Sequence, residues 1–347
     1  MGAGHTRFGA LDAGPRTLLR DAVVEAFGSV DRGVDRAAVG ETFLATLGFG
    51  GWQIGNASAV LAEEAGLVLV AGLEKMTDVT NARRRYWLGV SGDTEWERSA
   101  GLTFAGVYGL IASRYVADHP RGREALEAVA VKNHENGARN PKAHFQKPVT
   151  REAVRAAPRV ADPLGLYDCC PVSDGAAALL IAPAGTARRY TDTPVFVDGL
   201  GAGSDFLAVQ ERATLTQFGA TRWAADEAFR SAGVDRSEIS FLEVHDCFTI
   251  AELLALEDLG FAADGGAAQM TLDGETRRGG RLPVNPDGGL KAKGHPIGAT
   301  GVSQAYEVFL QLRRAAGPRQ VPDASRALCH NVGGAGATAN VTIFSVE

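Results

Sequence analysis

The sequence contains little cysteine, because only four of its 347 residues are of this type: Cys169, Cys170, Cys247 and Cys329. Four unevenly spaced cysteines do not form a disulfide framework or paired zinc knuckles, so we expect a reducing cytoplasm. The chain also lacks an apolar run of about 18 residues and an opening charged segment followed by an apolar one. We therefore expect neither a membrane span nor a signal peptide.

The sequence also lacks a large excess of charge of either sign, since it has 35 Lys and Arg and 41 Asp and Glu, for a formal net charge of −6. This balance does not indicate a nucleic acid or an anionic membrane as a partner. Glycine is abundant instead, with 43 Gly beside 14 Pro. We therefore expect many tight turns in a chain long enough for two domains of roughly 100 to 200 residues.

Short β-branched runs alternate with longer amphipathic segments along the chain, which predicts an α/β fold. Two of these segments, Arg16–Phe27 and Arg222–Ala232, look like one helix-turn element used twice. They predict a duplication with one half at 1–185 and the other at 195–347, although a chance match of two amphipathic helices is the alternative. A loop domain at about 83–157 is expected within the first half.

The clearest local pattern is FLEVHDCFTIAELL, where an apolar strand leads into a helix. Thr249 and Glu252 have the spacing of a capping box at the start of this helix. His245, Asp246 and Cys247 then lie on the strand-to-helix turn, at the edge of the sheet where α/β proteins bind ligands. A thiol near a helix N-terminus and an imidazole is a candidate acid, base or nucleophile. The alternative is a buried cysteine with a histidine that satisfies backbone groups.

Two glycine-rich segments follow. In the first, His295 and Pro296 precede an amphipathic helix, so the histidine lies where helix amides can meet an anion and can act as a base. In the second, Gly333 and Gly334 follow a strand and leave backbone N–H groups accessible, as an oxyanion hole requires. Each segment read alone also fits a purely structural turn. Cys329 is expected in the core, and Cys169 and Cys170 are expected to be structural.

Taken together, HDCF, GHPIGATG and HNVGG occur in this order with VLVAGLEKM, KNHENGARNP and CPVSDGAAALL. With these motifs the chain resembles the thiolase superfamily, in particular the sterol carrier protein-type and archaeal-type thiolases, over nearly its whole length. The resemblance implies a thiolase fold with two similar five-stranded mixed-sheet halves and helices on both faces. It also implies lipid metabolism, such as the mevalonate pathway.

The resemblance implies reversible Claisen condensation or thiolysis of a short acyl-CoA, such as acetyl-CoA to acetoacetyl-CoA, through an acyl-cysteine. His295 would activate the nucleophilic thiol and help bind the thioester oxygen, and His245 would line an oxyanion hole. Cys247 would handle the proton of the carbon nucleophile. The implied oxyanion or substrate-binding residues are Asn331, Gly333 and Gly334.

The sequence departs from the family where the nucleophilic cysteine belongs. AVLAEEAGL runs directly into VLVAGLEKM near Gly66, and no cysteine precedes Cys169. The lacking piece has a size on the order of 30 residues, about that of a βαβ unit, and the first strand is also expected to be absent. Either a thiolase has lost this segment, or the chain is a non-catalytic acyl-CoA-binding subunit or an aldolase that cleaves CoA esters.

Further expectations follow from the resemblance. The acyl-CoA is the substrate, and no other cofactor and no metal is expected. The chain is expected to form a homodimer or homotetramer. A hydroxymethylglutaryl-CoA synthase and a small OB-fold scaffold protein are possible partners, whereas nucleic acid and membrane are not expected.

Overall fold

The computed structural model describes residues 2–46 and 66–346. Its strands are β1 Gly2–His5, β2 Glu41–Ala45, β3 Val68–Glu74, β4 Arg159–Ala161, β5 Leu164–Gly165, β6 Gly175–Ile181, β7 Phe196–Ser204, β8 Phe241–Glu243, β9 Arg326–Gly333 and β10 Thr338–Ser345. Its helices are α1 Pro15–Gly28, α2 Asn81–Gly89, α3 Phe104–Asp118, α4 Gly122–Gly137, α5 Arg151–Ala156, α6 Ala184–Ala187, α7 Gly219–Ala232, α8 Thr249–Asp258, α9 Gly266–Leu272, α10 Gly289–Ala292 and α11 Thr300–Leu312. Within the described ranges, none of these helices is long and apolar enough to cross a membrane.

Two mixed sheets share one topology. Their strand orders are β1-β6-β3-β2 and β7-β10-β9-β8. In each sheet the first three strands are antiparallel neighbours and the last pair is parallel. The mixed α/β fold is confirmed, but the described part of each sheet has four strands, not five. In the second sheet, the place beside β8 is taken by a single parallel bridge between Leu242 and Val284.

One helix covers the outer face of each sheet, and glycines allow the close approach. A Cβ atom on Gly4 of β1 would lie 2.0 Å from the carbonyl oxygen of Ala22 in α1. Similarly, a Cβ atom on Gly201 of β7 would lie 1.9 Å from the carbonyl oxygen of Ala224 in α7. The two amphipathic segments that resemble one another in sequence therefore occupy equivalent positions on the two sheets.

Helix α11 lies between the two sheets. Tyr306 and Phe309 form a cluster with Ala3 of the first sheet. Val308 and Leu312 of the same helix pack with Phe241 of the second sheet. Since burial of apolar side chains is the main favourable term in folding, this shared helix joins both sheets into one core.

One expectation from the sequence is wrong in the first half. The first strand is present: β1 pairs antiparallel with β6, although GAGH has no β-branched residue to announce a strand. The region 83–157, predicted as a loop domain, contains α3, α4 and α5, and α4 is buried along almost its whole length. The predicted junction at 59–67, where the segment with the nucleophilic cysteine is expected to be lacking, lies outside the described residues up to residue 65.

Candidate active site

The turn after β8 is held by the carboxylate of Asp246. Its oxygens accept hydrogen bonds from the backbone N–H groups of Leu290 and Lys291, at 2.6 and 3.2 Å, and from Asn133 Nδ2 at 2.7 Å. Burial raises the pKa of Asp246 to about 7, with the nearby charge of Glu252 as a second cause. Asp246 therefore fixes this turn against α4 and α10, and its neighbours His245 and Cys247 are placed by it.

The predicted capping box at the start of α8 is wrong. The hydroxyl of Thr249 donates to Asp168 Oδ1 at 2.8 Å, and Glu252 pairs with Lys132 at 2.9 Å. Glu252 also accepts a hydrogen bond from Asn133 Nδ2 at 2.8 Å. Both side chains are fully buried, so partners distant in sequence replace the local cap because buried polar groups need hydrogen bonds.

His245 and His295 meet at the centre of the candidate site. Their ring centroids lie 4.9 Å apart and the ring planes are perpendicular. Burial lowers the pKa of His245 to about 4 and holds the pKa of His295 well below its usual value. Both imidazoles are therefore neutral near pH 7, so each ring has one N–H donor and one lone-pair acceptor.

A chain of amides determines which nitrogen of His245 carries the proton. Gln304 Nε2 donates to the backbone carbonyls of His330 and Glu243 at 3.1 and 3.4 Å. Gln304 Oε1 therefore accepts from Asn331 Nδ2 at 2.7 Å, and Asn331 Oδ1 faces Nδ1 of His245 at 3.0 Å. Since a carbonyl oxygen can only accept, Nδ1 of His245 carries the hydrogen, and Nε2 of the neutral ring is an acceptor.

His295 has an equivalent arrangement on its own turn. Its Nδ1 lies 2.7 Å from the hydroxyl oxygen of Thr300, which donates its hydrogen to the carbonyl of Pro296 at 3.0 Å. The Thr300 oxygen is then the acceptor for Nδ1–H, and Nε2 of His295 is left as a lone pair. The backbone N–H of His295 donates to the hydroxyl of Ser173 at 3.3 Å. The neutral site thus presents two imidazole acceptors.

Cys247, two residues after His245, lies in an apolar setting. Its side chain is buried, the neighbouring Phe248 ring stacks on Tyr108 at 4.5 Å, and the Tyr108 hydroxyl faces the thiol. Burial raises the pKa of Cys247 to about 12, although Tyr108 opposes this shift. Cys247 is therefore a protonated thiol at neutral pH.

Three further predicted residues lie on the neighbouring hairpin. Asn331 belongs to β9 and contacts His245 directly. Gly333 ends that strand, and Gly334 follows with a φ of +54°, packed against Leu207. A side chain with a Cβ atom rarely adopts this left-handed conformation, which accounts for the glycine at 334.

Sequence reasoning missed several residues of the site. Asn133 stands in the KNHENGARNP motif, but no pattern pointed to its contact with Asp246. Tyr108 reaches the site from a helix distant in sequence. Gln304 lies only nine residues after His295, but no pattern pointed to its contact with Asn331. Cys329 is buried on β9 as expected.

Comparisons with known proteins agree with the fold. Residues 53–185 match the family model "Thiolase, N-terminal domain", and residues 201–346 match "Thiolase C-terminal domain-like". An acetyl-CoA acetyltransferase of Methanothermobacter thermautotrophicus is 47% identical over 83% of this chain and 76% of its own length. Among solved structures, one described as "Ltp2-ChsH2(DUF35) aldolase" has a TM-score of 0.83 at 24% identity, covering 99% of this chain and 96% of that chain.

A second relative shows that this chain is shorter at internal positions. The acetyl-CoA acetyltransferase of Methanocaldococcus jannaschii is 33% identical over 99% of this chain and 98% of its own length. That alignment extends over 391 positions, which is at least 44 more than the 347 residues of this chain. Nearly the whole of both chains aligns, so the relative contains internal positions that have no residue here.

Proposed function

Because this chain belongs to the thiolase family of acyl-transferring enzymes, we propose that its site makes and protonates the enolate of an acyl-CoA. The observation that carries this proposal is the perpendicular contact of His245 and His295 at 4.9 Å, with Cys247 two residues from His245. Breaking or forming a carbon–carbon bond beside a thioester requires a base, an acid for the α-carbon and donors for the oxygen. Two imidazoles and a thiol, which can fill these roles, lie on the turns of this site.

Cys247 is proposed to act on the α-carbon. With a pKa of about 12 the resting thiol holds its proton, so in the cleavage direction it protonates the enolate carbon. In the condensation direction Cys247 first gives its proton to the lone pair of a neutral imidazole Nε2, and the thiolate so formed removes the α-proton. A thiol in an apolar pocket suits this exchange because the thiol transfers the proton directly and the pocket excludes water from the carbanion.

The two imidazoles are proposed to accept protons first and donate afterwards. Nε2 of His295 takes the proton of an attacking thiol or hydroxyl, and the resulting imidazolium can then donate at Nε2 to the thioester oxygen. His245 lines the same space and depends on Asn331 for its orientation. The role of Asn331, Gly333 and Gly334 as oxyanion or substrate contacts is part of this proposal.

The first net reaction that we propose is reversible Claisen condensation or thiolysis of a short acyl-CoA, such as acetyl-CoA to acetoacetyl-CoA. It is supported by the acetyl-CoA acetyltransferase relatives at 47% and 33% identity. It requires a cysteine that carries the acyl group, and the sequence has none before Cys169. Coenzyme A thioesters would be the only cofactor-like ligands.

A second candidate is retro-aldol cleavage of a β-hydroxyacyl-CoA, favoured by the same lack of cysteine and by the aldolase of similar fold. An imidazole Nε2 takes the hydroxyl proton, the bond between the α- and β-carbons breaks, and its electrons move to the thioester oxygen. Cys247 then protonates the α-carbon. The products are an acyl-CoA and a carbonyl compound, and no acyl-cysteine is needed.

The shared step is tested by exchange of the acetyl-CoA methyl protons with deuterated water, followed by mass spectrometry. We expect exchange with the wild-type protein and a loss of about a hundredfold or more in Cys247→Ala. Cys329→Ala, which removes a buried thiol from β9, is the matched control and should retain exchange. Wild-type exchange no faster than in buffer would refute the proposal and leave the non-catalytic binding subunit.

The two net reactions are then separated by substrate. Cleavage of acetoacetyl-CoA that depends on added coenzyme A indicates thiolysis. Cleavage of a β-hydroxyacyl-CoA without added coenzyme A indicates the aldol reaction. Product acyl-CoA esters are measured by liquid chromatography in both cases.

Assembly is proposed on separate grounds. Leu200 on the outer strand β7 and Phe206 just after it are 52% and 58% exposed, which fits contact with another subunit. We propose a homodimer or homotetramer in the cytoplasm, to be checked by light scattering after gel filtration. The aldolase of similar fold is described with a second component, ChsH2(DUF35). A partner such as a hydroxymethylglutaryl-CoA synthase or an OB-fold protein therefore belongs to this proposal.

A further inference from the structure

The segment that contains Cys170 touches both turns of the candidate site. The backbone N–H of Cys170 donates to the carbonyl of Cys247 at 2.9 Å, and the preceding residue forms an antiparallel bridge with Phe248. Three residues further on, the hydroxyl of Ser173 accepts the backbone N–H of His295 at 3.3 Å. The segment thus contacts the turns that carry both motifs.

This pairing places two thiols side by side. In antiparallel pairing, the bridge between Cys169 and Phe248 sets Cys170 opposite Cys247, and facing residues project to the same side about 4.5 to 5.5 Å apart. Cys169 projects to the other side, where its Sγ contacts the carbonyl of Gly165 at 3.4 Å. Cys170 is also partly exposed, whereas Cys247 is buried.

A buried lysine lies near the same thiols. The Lys291 side chain is 1% exposed, and within residues 2–46 and 66–346 its Nζ forms neither an ion pair nor a hydrogen bond. Among the neighbouring groups whose charge would raise the pKa of Lys291, Cys170 has the largest effect and Cys169 the next. Burial lowers the pKa of Lys291 and raises the pKa of Cys170, so it favours the neutral amine and the neutral thiol as the starting pair.

We propose that Cys170 is the thiol that carries the acyl group in this protein, with Lys291 as its proton acceptor. This inference rests on the proposed acyl-CoA chemistry and supplies the nucleophile that the acyl-transfer reaction needs. An acyl group on Cys170 would lie next to Cys247, where the enolate of a second acyl-CoA is formed.

The proposed step balances in atoms and charge. The Cys170 thiol transfers its proton to the Lys291 amine, and the thiolate attacks the thioester carbon of acyl-CoA. The tetrahedral oxyanion collapses, the bond to the coenzyme A sulfur breaks, and that sulfur takes the proton from Lys291. The products are acyl-Cys170 and free coenzyme A, and no oxidant or reductant is involved.

The test is acid-quenched mass spectrometry of the full chain after incubation with acetyl-CoA, followed by peptide mapping. We expect one acetyl group on the peptide that contains Cys170, and its loss in Cys170→Ser. Cys169→Ser is the matched control from the same segment and should be acetylated like the wild type. Lys291→Met should slow acetylation by about a hundredfold, while circular dichroism reports whether the variant folds.

Deuterium exchange of acetyl-CoA on the same samples separates this inference from the proposed function. Exchange with an acetyl group on Cys170 supports both. Exchange without any acetylated protein overturns the role of Cys170 and leaves the enolate chemistry in place. An acetyl group found on Cys169 or Cys247 also overturns it, and absence of both exchange and acetylation refutes both proposals.

Discussion

Nδ1 of His245 lies 3.0 Å from Oδ1 of Asn331, and this amide is itself oriented by Gln304 on α11. The imidazole is therefore held in one tautomer with Nε2 facing the candidate site as a lone pair. A ring in this state can accept a proton from a substrate, but it can donate at Nε2 only after it has been protonated. His245 must therefore accept a proton at Nε2 before it can donate one there.

The tautomer can be measured directly. We expect nitrogen NMR of labelled protein to show His245 with Nδ1 protonated and Nε2 free between pH 5 and pH 8, since its pKa is lowered to about 4. Asn331→Asp should raise that pKa and keep the tautomer, because a carboxylate accepts from Nδ1–H and stabilises the imidazolium. A spectrum with Nε2 protonated in the wild type would contradict the amide chain.

Tyr108 is predicted to tune Cys247. Its hydroxyl faces the thiol and favours the thiolate, so Tyr108→Phe should slow deuterium exchange of acetyl-CoA by about tenfold, the effect of one hydrogen bond to a charged group. Tyr115→Phe is the control, because Tyr115 lies on the same helix and its hydroxyl donates to Glu257 at 2.6 Å instead. Equal losses of exchange in the two variants would argue for a general effect of packing.

Gly201 should tolerate no side chain. The Cβ atom of Gly201→Ala would lie 1.9 Å from the carbonyl oxygen of Ala224, which forces α7 away from β7 and costs about 1 to 3 kcal/mol or more in the free energy of unfolding. Gly14→Ala is the control, since nothing lies within 4 Å of the place that its Cβ atom would take. Urea denaturation followed by circular dichroism compares them, and similar midpoints would contradict the close packing.

His134 should make the protein less stable in acid. Burial lowers its pKa to about 4, so below a pH of about 6.5 the unfolded chain binds a proton that the folded chain does not. Stability from this group is complete above that pH and falls as the pH drops toward 4. Between pH 7 and pH 5 the wild type should lose about 2 kcal/mol more than His134→Phe. Equal losses in urea titrations at the two pH values would disprove the linkage.

The sequence predicts the positions of the catalytic motifs better than their partners. His245 and Cys247 fall on a strand-to-helix turn because an apolar run followed by a helix pattern has a local signature. His295 is found in the same way, from the glycine-rich turn that precedes a helix. The contact of His245 with Asn331, which Gln304 on α11 orients, depends on how this helix is rotated between two sheets. No pattern of spacing within one segment contains that information.

The wrong predictions from the sequence also arise from contacts between segments that are distant in sequence. The spacing of Glu252 predicts a local cap, but burial brings Lys132 to it from a helix more than a hundred residues away. The proline and the turn that follow Cys170 indicate a structural role, and no spacing in that segment predicts its backbone pairing with Cys247. Strand β1 has no signature in the sequence because its glycines serve the approach of α1, not β propensity.

Helix α11 touches the two sheets on opposite sides and carries Gln304 in its middle. The side chain that sets the proton position of His245 is thus anchored in the most deeply shared part of the core. A local opening at the protein surface leaves this anchor in place, whereas separation of the sheets removes it. The proton chemistry of the histidines is therefore coupled to global cooperativity, and it should vanish together with the fold, not before it.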